Sequence, residues 1–290
     1  MVSDVANVEI SMKAHKSRRI HSGNVMATVL ITLLALAMLF PFYWMAVASF
    51  LPDAKVTNIP PILFPQSLYL RNYEQLFLRA PTLTWFYNSV FVSAMTAFLV
   101  VAVGAMAGYS FAKKRFFLRD VIFYIMVATI MIPRQILIVP LFKVIQGFDL
   151  FNNHWGLILP MLGWPVGVFM LKQFMVTLPS EIMEAAKIDG CSEIGIFLRV
   201  VIPLAKPGIG ALAIFTFINS WNDYMWQFLV ISSKALKTLP QGIATFQEEF
   251  SARYGLQMAG AVMATLPMVI IFLMFQKYFT KGITMGSIKG

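Results

Sequence analysis

The sequence predicts an all-α, polytopic membrane protein with six transmembrane helices. Of its 290 residues, 59% are hydrophobic and 12% are charged, whereas about 25% of residues are charged in a soluble domain. Residues 24–52, 80–112 and 254–276 contain no Asp, Glu, Lys or Arg. Each block can cross a bilayer as a helix, which takes about 20 apolar residues. A β-barrel would alternate apolar and polar residues along its strands, so we expect a helical chain embedded in lipid.

Six candidate spans follow when the apolar blocks are divided at clusters of charge. They lie near residues 24–50, 84–112, 120–142, 155–174, 207–232 and 257–279. Fifteen Lys and Arg residues then fall on one side of the membrane and seven on the other, while Arg134 lies inside the third span. The positive-inside rule places the richer side in the cytoplasm, together with the tails 1–23 and 280–290. The first span is longer than the apolar part of a signal peptide, about 7–15 residues, so we expect it to be retained.

Several function classes are disfavoured by composition and by missing motifs. The net charge of +10 is spread over the loops, so nucleic acid is not an expected partner. With a single cysteine, Cys191, and no spaced Cys or His cluster, we expect no metal site. No phosphate-binding Gly-x-x-x-x-Gly-Lys-Ser/Thr motif is present, so nucleotide energy must come from a partner. A membrane-embedded transferase or hydrolase would need a catalytic arrangement of carboxylates or histidines, and the sequence suggests none.

Two long loops on the less basic side differ in composition. The loop 51–83 carries five prolines, so we expect it to be extended with at most short helical pieces. The loop 233–255 mixes charged and aromatic residues. It either contacts an external partner or is a solvated connection, and the sequence leaves both interpretations open.

The loop 178–206, between the fourth and fifth spans, predicts two short cytoplasmic helices. Ser180 is a candidate N-cap for the first helix, Gly190 ends it, and Ser192 is a candidate N-cap for the second. We expect the chain to turn into the fifth span at Pro203 and Pro207. Because apolar and charged residues alternate, the hairpin could lie on lipid headgroups or dock into a groove of a cytoplasmic protein.

The same loop carries a family resemblance. Glu184-Ala-Ala, then Gly190, then Val200-Val-Ile-Pro203 resembles the cytoplasmic signature loop of binding-protein-dependent ABC importer permeases. Val200 and Ile202 are conservative departures from that family's Ile-x-Leu-Pro ending. Further segments resemble the second permease subunit of maltose-type carbohydrate importers, so the resemblance covers about residues 24–290: Met131-Ile-Pro133, Pro140-Leu-Phe142, Trp221-Asn-Asp-Tyr224 with Trp226, and Ser287-Ile-Lys-Gly290.

The resemblance implies a type I ABC importer permease with a six-helix transmembrane domain, residues 24–279. It implies that the chain works in a bacterial inner membrane with a second homologous permease, an ATPase dimer and an extracytoplasmic solute-binding protein. A saccharide would be the substrate, and ATP and Mg would bind the partner ATPase, with no cofactor in this chain. Another solute, such as glycerol phosphate, an amino acid or a peptide, is the alternative. The residues implied to couple to the ATPase are Glu184, Ala185, Ala186, Asp189, Gly190, Pro203, Lys289 and Gly290.

Polar residues inside the predicted fifth span are candidates for the translocation pathway. Because an ionisable group is costly in hydrocarbon, Asp223 should face a partner, a cavity or water. Aromatic faces beside amides and a carboxylate suit a sugar, although contacts between helices would need the same residue types. Arg134 could bond carbonyls at a helix break, extend to the interface, or favour an anionic saccharide from the cavity. The full candidate set is Asn219, Trp221, Asn222, Asp223, Tyr224, Trp226 and Arg134.

Overall fold

The computed structural model describes residues 22–249 and 253–284, and within them every regular element is a helix. The α-helices are α1 Ser22–Ser49, α2 Asp53–Val56, α3 Arg71–Arg79, α4 Thr82–Lys113, α5 Arg119–Ala128, α6 Arg134–Gly147, α7 His154–Ile158, α8 Pro165–Val176, α9 Ser180–Ile188, α10 Glu193–Ile196, α11 Ile202–Leu204, α12 Lys206–Trp221, α13 Tyr224–Val230, α14 Leu239–Glu249 and α15 Tyr254–Thr284. Short 3-10 turns span Thr129–Met131, Leu159–Gly163 and Lys234–Leu236, and a π turn spans Phe197–Val201.

Three helices are long and apolar enough to cross a membrane unaided: α1, α4 and α15. Three further pairs of helical segments reach that length only together, and each pair is bent. The bends are 104° between 119–131 and α6, 46° between 154–163 and α8, and 77° between 193–204 and α12. Six spans result within the described residues if each bent pair is one crossing, and the membrane side of the termini stays a prediction.

Two of the bends follow from proline. Ile132 precedes Pro133, and Trp164 precedes Pro165; both have extended ψ angles, 117° and 110°. The helical region is disfavoured for a residue before proline by contact with the proline ring, although Pro41, Pro140 and Pro267 lie inside helices. The predicted third span 120–142 is therefore wrong as a continuous helix, because it breaks at Ile132. The predicted fifth span 207–232 is also interrupted, since α12 ends at Trp221 and α13 begins at Tyr224.

The long helix α4 is the centre of the bundle and packs closely on α8. A Cβ atom at Gly104 would lie 3.4 Å from the backbone of Gly167, and one at Gly108 would lie 2.9 Å from the nitrogen of Lys172. The two glycines therefore permit close approach of two helix backbones. The Gly-x-x-x-Gly pair therefore has a packing role.

The two loops on the less basic side are folded against the bundle. The loop 51–83 contains α2 and α3, as expected, and Asn72 fixes it by donating to the carbonyls of Ser49 and Leu51, both at 2.9 Å. The loop 233–255 contains α14, whose Leu239, Ile243 and Phe246 are buried in a core cluster with Trp85. Much of this second loop is thus a packed part of the bundle.

Candidate functional site

Three interruptions of helices meet at one cavity of about 650 Å³. The break at 132–134 supplies Pro133 and Arg134, the break at 163–165 supplies Trp164 and Pro165, and the gap between α12 and α13 supplies Asp223. Helices α6, α8 and α13 all begin at this point, and the first backbone N–H groups of a helix have no partner within it. In many secondary transporters, the substrate site is formed by discontinuous helices around a cavity.

The two ionisable residues of the cavity wall bind each other. Arg134 Nη2 donates to Asp223 Oδ2 at 3.0 Å and lies 3.3 Å from the sulfur of Met161. Asp223 is also the N-cap of α13, where its Oδ1 accepts from the backbone N–H of Trp226 at 3.4 Å. An aspartate at this position satisfies one of the unpaired N–H groups of the helix. The pair joins the broken third span to the fifth span and leaves the described cavity wall with no net charge.

The rest of the wall is largely apolar, with two indole rings. Trp164 stacks on Phe215 with a centroid distance of 5.4 Å and an angle of 16° between the rings. Trp226 is buried, and its Nε1 donates to the carbonyl oxygen of Gly156 at 3.2 Å. The polar group of the Trp226 indole is thus bonded within the protein, and apolar ring surface of both tryptophans borders the cavity. Such surface suits the C–H faces of a sugar ring.

The candidate residues of the fifth span do not act as one group. Asn219 and Asn222 donate to carbonyls one turn earlier in α12, at 2.8 and 3.0 Å. Tyr224 stacks on a neighbouring phenylalanine in its own helix. Trp221 is buried in the core with Trp85, and its Nε1 donates toward α15. Trp221 lies outside the cavity wall, as do Asn219, Asn222 and Tyr224, and the proposed site therefore consists of the three candidates that line it, Arg134, Asp223 and Trp226. A pathway role for the other four candidates stays a prediction.

Several wall residues were missed at the sequence level, among them Met161, Trp164 and Pro165. They lie in the apolar fourth span, where only hydrophobicity was considered. The signal that could have found them is the Trp164-Pro165 dipeptide, because proline favours a break inside an otherwise continuous apolar run. Arg134 and Asp223 are 89 residues apart in sequence, and no local sequence pattern indicates that they bind each other.

The loop 178–206 forms the expected helical hairpin. Gly190 has a φ of +80° and follows the end of α9, and Cys191 N donates to the carbonyl of Ala186 at 3.0 Å. This bond closes a Schellman ending, in which glycine supplies the left-handed residue. Ser192 caps α10 by accepting from Gly195 N at 3.2 Å, as predicted. Ser180 differs from its prediction, because it is the first residue of α9 and makes no cap bond.

The hairpin has one packed face and one free face within this chain. Met183 and Ile196 are buried with Tyr109, at the end of α4. Glu184, Ala185 and Asp189 are exposed and Ala186 is half-buried, while Ile188 and Ile194 are 87% and 72% exposed. Apolar side chains beside an exposed acidic face suit docking to another protein.

Three further residues are implied to couple to the ATPase: Pro203, Lys289 and Gly290. Pro203 lies within α11, and the chain bends at Ala205, between Pro203 and Pro207, where the sequence predicts the turn into the fifth span. Lys289 and Gly290 lie outside the described residues.

An ion pair connects the hairpin to the end of α4. Lys114 Nζ bonds the Glu193 carboxylate at the first residue of α10 and lies 5.1 Å from the centre of the Tyr109 ring. The hydrogen bond from Lys114 lowers the pKa of Glu193. Burial lowers the pKa of Lys114, but the hydrogen bonds to Glu193 and Tyr109 outweigh it and leave that pKa raised. Both groups are therefore charged at neutral pH.

Neither metal nor enzyme chemistry is suggested by the geometry. Across residues 22–249 and 253–284, no group of three His, Cys, Asp or Glu side chains is placed to hold a metal ion. The functional features of the described chain are a cavity at helix breaks and a hairpin with a free face.

Comparison with known proteins identifies the family. The family described as "Binding-protein-dependent transport system inner membrane component" matches residues 100–285, which include the cavity wall and the hairpin. The chain belongs to this family. It is therefore a multi-pass inner membrane component of a transport system and is not itself an enzyme. The family implies that it works with another permease, an ATPase and a binding protein.

Two curated relatives match nearly the whole permease. It is 36% identical to the arabinooligosaccharides transport system permease protein AraQ of Bacillus subtilis over 91% of this chain and 95% of the relative. It is 32% identical to the sulfoquinovosyl glycerol transport system permease protein SmoH of Agrobacterium fabrum, over 93% of this chain and 95% of the relative.

One solved structure has the same fold. It is a chain of a bacterial ABC transporter involved in the import of the acidic polysaccharide alginate, with a TM-score of 0.77 at 21% identity, covering 91% of the permease and 99% of that chain. The similarity confirms the all-α fold of an ABC importer permease.

Proposed function

We propose that the chain is a transmembrane permease subunit of an ATP-driven oligosaccharide importer in the bacterial cytoplasmic membrane. It forms the pathway with a second homologous permease and receives saccharide from an extracytoplasmic solute-binding protein. An ATPase dimer, which binds ATP and Mg, drives the cycle by alternating access. The observation that carries the proposal is the meeting of three helix breaks at a cavity bordered by indole rings and one ion pair.

The charge of the cavity favours an uncharged saccharide. Arg134 alone would attract an anionic sugar, but Asp223 lies 3.0 Å from its guanidinium and balances it. An ion pair can still bond sugar hydroxyls, because the guanidinium has free N–H donors and the carboxylate has free lone pairs. The relatives handle different sugars, so we base this proposal on the cavity alone.

The hairpin is the proposed coupling element. Its exposed residues Glu184, Ala185 and Asp189, with Gly190 at the turn, would contact the ATPase. Helix α8 provides a route for the movement, because it begins at Pro165 in the cavity wall and ends directly before the hairpin. Its 12 residues span about 18 Å at 1.5 Å per residue.

The test is uptake by the reconstituted complex, with its binding protein, of matched saccharides. A neutral oligosaccharide and its uronate analogue of the same length differ only in carboxylate groups. We expect ATP-dependent uptake of the neutral compound at a rate at least about tenfold above that of the analogue. Preference for the uronate would overturn the proposed substrate charge, and uptake of glycerol phosphate, amino acids or peptides in place of both would overturn the saccharide assignment.

A further inference from the structure

We propose that Lys113 and Lys114 are positioning residues that hold the hairpin to the transmembrane bundle and keep ATP hydrolysis coupled to transport. The proposal rests on the proposed function, because it assigns a mechanical role to contacts behind the hairpin's free face. The two lysines are consecutive at the end of α4, and their side chains reach the starts of both hairpin helices.

Lys113 occupies the junction of α8 and α9. Its Nζ donates to the carbonyl of Leu178 at 2.6 Å and to Ser180 Oγ at 3.2 Å, and lies 3.5 Å from the carbonyl of Val176. An ammonium has three N–H donors, which matches three acceptors. The Val176 carbonyl is at the C-terminal end of α8 and lacks a partner within that helix, and the Leu178 carbonyl lies in the link between α8 and α9. A cation bonded there fixes the direction in which the chain leaves α8 and enters α9.

Lys114 fixes the second half of the hairpin. Its bond to Glu193 holds the first residue of α10, and the Tyr109 ring beneath Lys114 limits the directions that the amine can take. Much of the remaining contact between the hairpin and the spans is apolar, made by residues such as Met183 and Ile196. Apolar contact is not directional. The lysine bonds are directional and therefore determine the orientation of the hairpin.

Helix α8 joins the cavity to the hairpin. A push on α9 from the ATPase would pass to the end of α8, where Lys113 also ties α4, and then along α8 to Pro165 at the cavity. Without Lys113 the hairpin could turn without moving α8. ATP would then be hydrolysed with less saccharide transported.

The neighbouring arginine is a matched control. Arg115 follows directly in sequence and has an exposed side chain that borders a separate surface recess with Arg119 and Asp120. Changing it removes the same charge from the same loop, so effects on membrane orientation by the positive-inside rule would be equal. A difference between Lys113→Gln and Arg115→Gln therefore reports the bonds and not the charge.

The experiment measures ATP hydrolysed per saccharide transported by the full reconstituted complex. We expect Lys113→Gln to raise that ratio about three- to tenfold, the size expected for the net loss of one ordinary hydrogen bond. Lys114→Gln should raise it about two- to fivefold, because its pair is partly exposed. Arg115→Gln should leave the ratio unchanged. Lys113→Arg keeps the charge, so the increase in the ratio should be at most about half of that in Lys113→Gln.

A charge-swapped pair provides an independent test. It can be measured even if Lys113→Gln inserts poorly into the membrane. Lys114→Glu and Glu193→Lys should each raise the ratio, and the combined variant should return toward the original value. A ratio in both lysine variants equal to that of Arg115→Gln, or no recovery in the swapped pair, would overturn the proposal. Failure of the unchanged complex to retain an ATPase or to take up saccharide would instead overturn the proposed function.

Discussion

The ion pair in the cavity gives the most specific prediction. Asp223→Asn and Arg134→Gln each leave one charge without its partner, and the double variant removes both. The side chains of Arg134 and Asp223 are 50% and 20% exposed, so the pair lies between the surface and the interior. Exposed pairs contribute about 0.2–1 kcal/mol and hydrogen bonds to charged groups about 1.5–3 kcal/mol. We therefore expect a coupling energy of about 1–2 kcal/mol, or about 5- to 30-fold in rate.

The assay is kcat/KM for uptake of a neutral oligosaccharide and its uronate analogue by the four forms of the complex. Each single variant should lower kcat/KM for the neutral sugar about tenfold, and the double variant should regain most of the loss, because its cavity is again neutral. In Asp223→Asn, kcat/KM should fall less for the uronate than for the neutral sugar, since Arg134 is then free to attract the uronate.

Additive losses in the double variant would refute the reasoning, because the two residues would then act independently. Equal effects on the neutral and acidic sugars in Asp223→Asn would contradict the electrostatic explanation. Asn222→Ala is a suitable control, because the Asn222 amide bonds a carbonyl of its own helix. It should change kcat/KM less than about twofold.

Three further predictions concern packing, the hairpin turn and pH. Gly108→Ala should destabilise the permease by about 1–3 kcal/mol through overpacking, since the new Cβ lies 2.9 Å from backbone. Gly104→Ala should be nearly neutral, because its Cβ lies 3.4 Å from the nearest backbone atom. Thermal unfolding in detergent measures the stability of both variants. Gly190→Asp should insert normally but uncouple transport, because open space surrounds the new side chain while the φ of +80° opposes it. Normal uptake in that variant would count against the coupling assignment, and Gly190→Ala separates backbone strain from charge. Since the pKa of Glu193 is lowered by Lys114, the stabilisation from their pair should be present at neutral pH and be lost as pH falls below about 4. A spin label on Cys191 should therefore become more mobile at acidic pH. If the label keeps its mobility both at acidic pH and in the Glu193→Gln variant, the prediction is refuted.

The fold was largely predictable because its signals are local. The apolar blocks and the turn residues of the hairpin can each be recognised from a continuous stretch of sequence. The hairpin followed from capping chemistry at Gly190 and Ser192, which the structure confirms.

The site was less predictable because it depends on distant pairs. Pro133 and Pro165 break their spans by a local rule that was available, but the meeting of those breaks with Asp223 depends on how three spans pack. Trp221 and Trp226 look alike in sequence, yet Trp221 lies in a core and Trp226 in the cavity wall, because α12 ends between them. Amino-acid composition does not indicate on which side of a helix break a residue lies.

The most direct test of the central claim is affinity purification of the tagged permease from its native membrane, followed by quantitative mass spectrometry. The account predicts recovery of a second permease in equal amount and of ATPase subunits in twofold ratio to each permease, with ATP hydrolysis stimulated by saccharide-loaded binding protein. Recovery of this chain without any ATPase, under conditions that keep membrane complexes intact, would contradict the account.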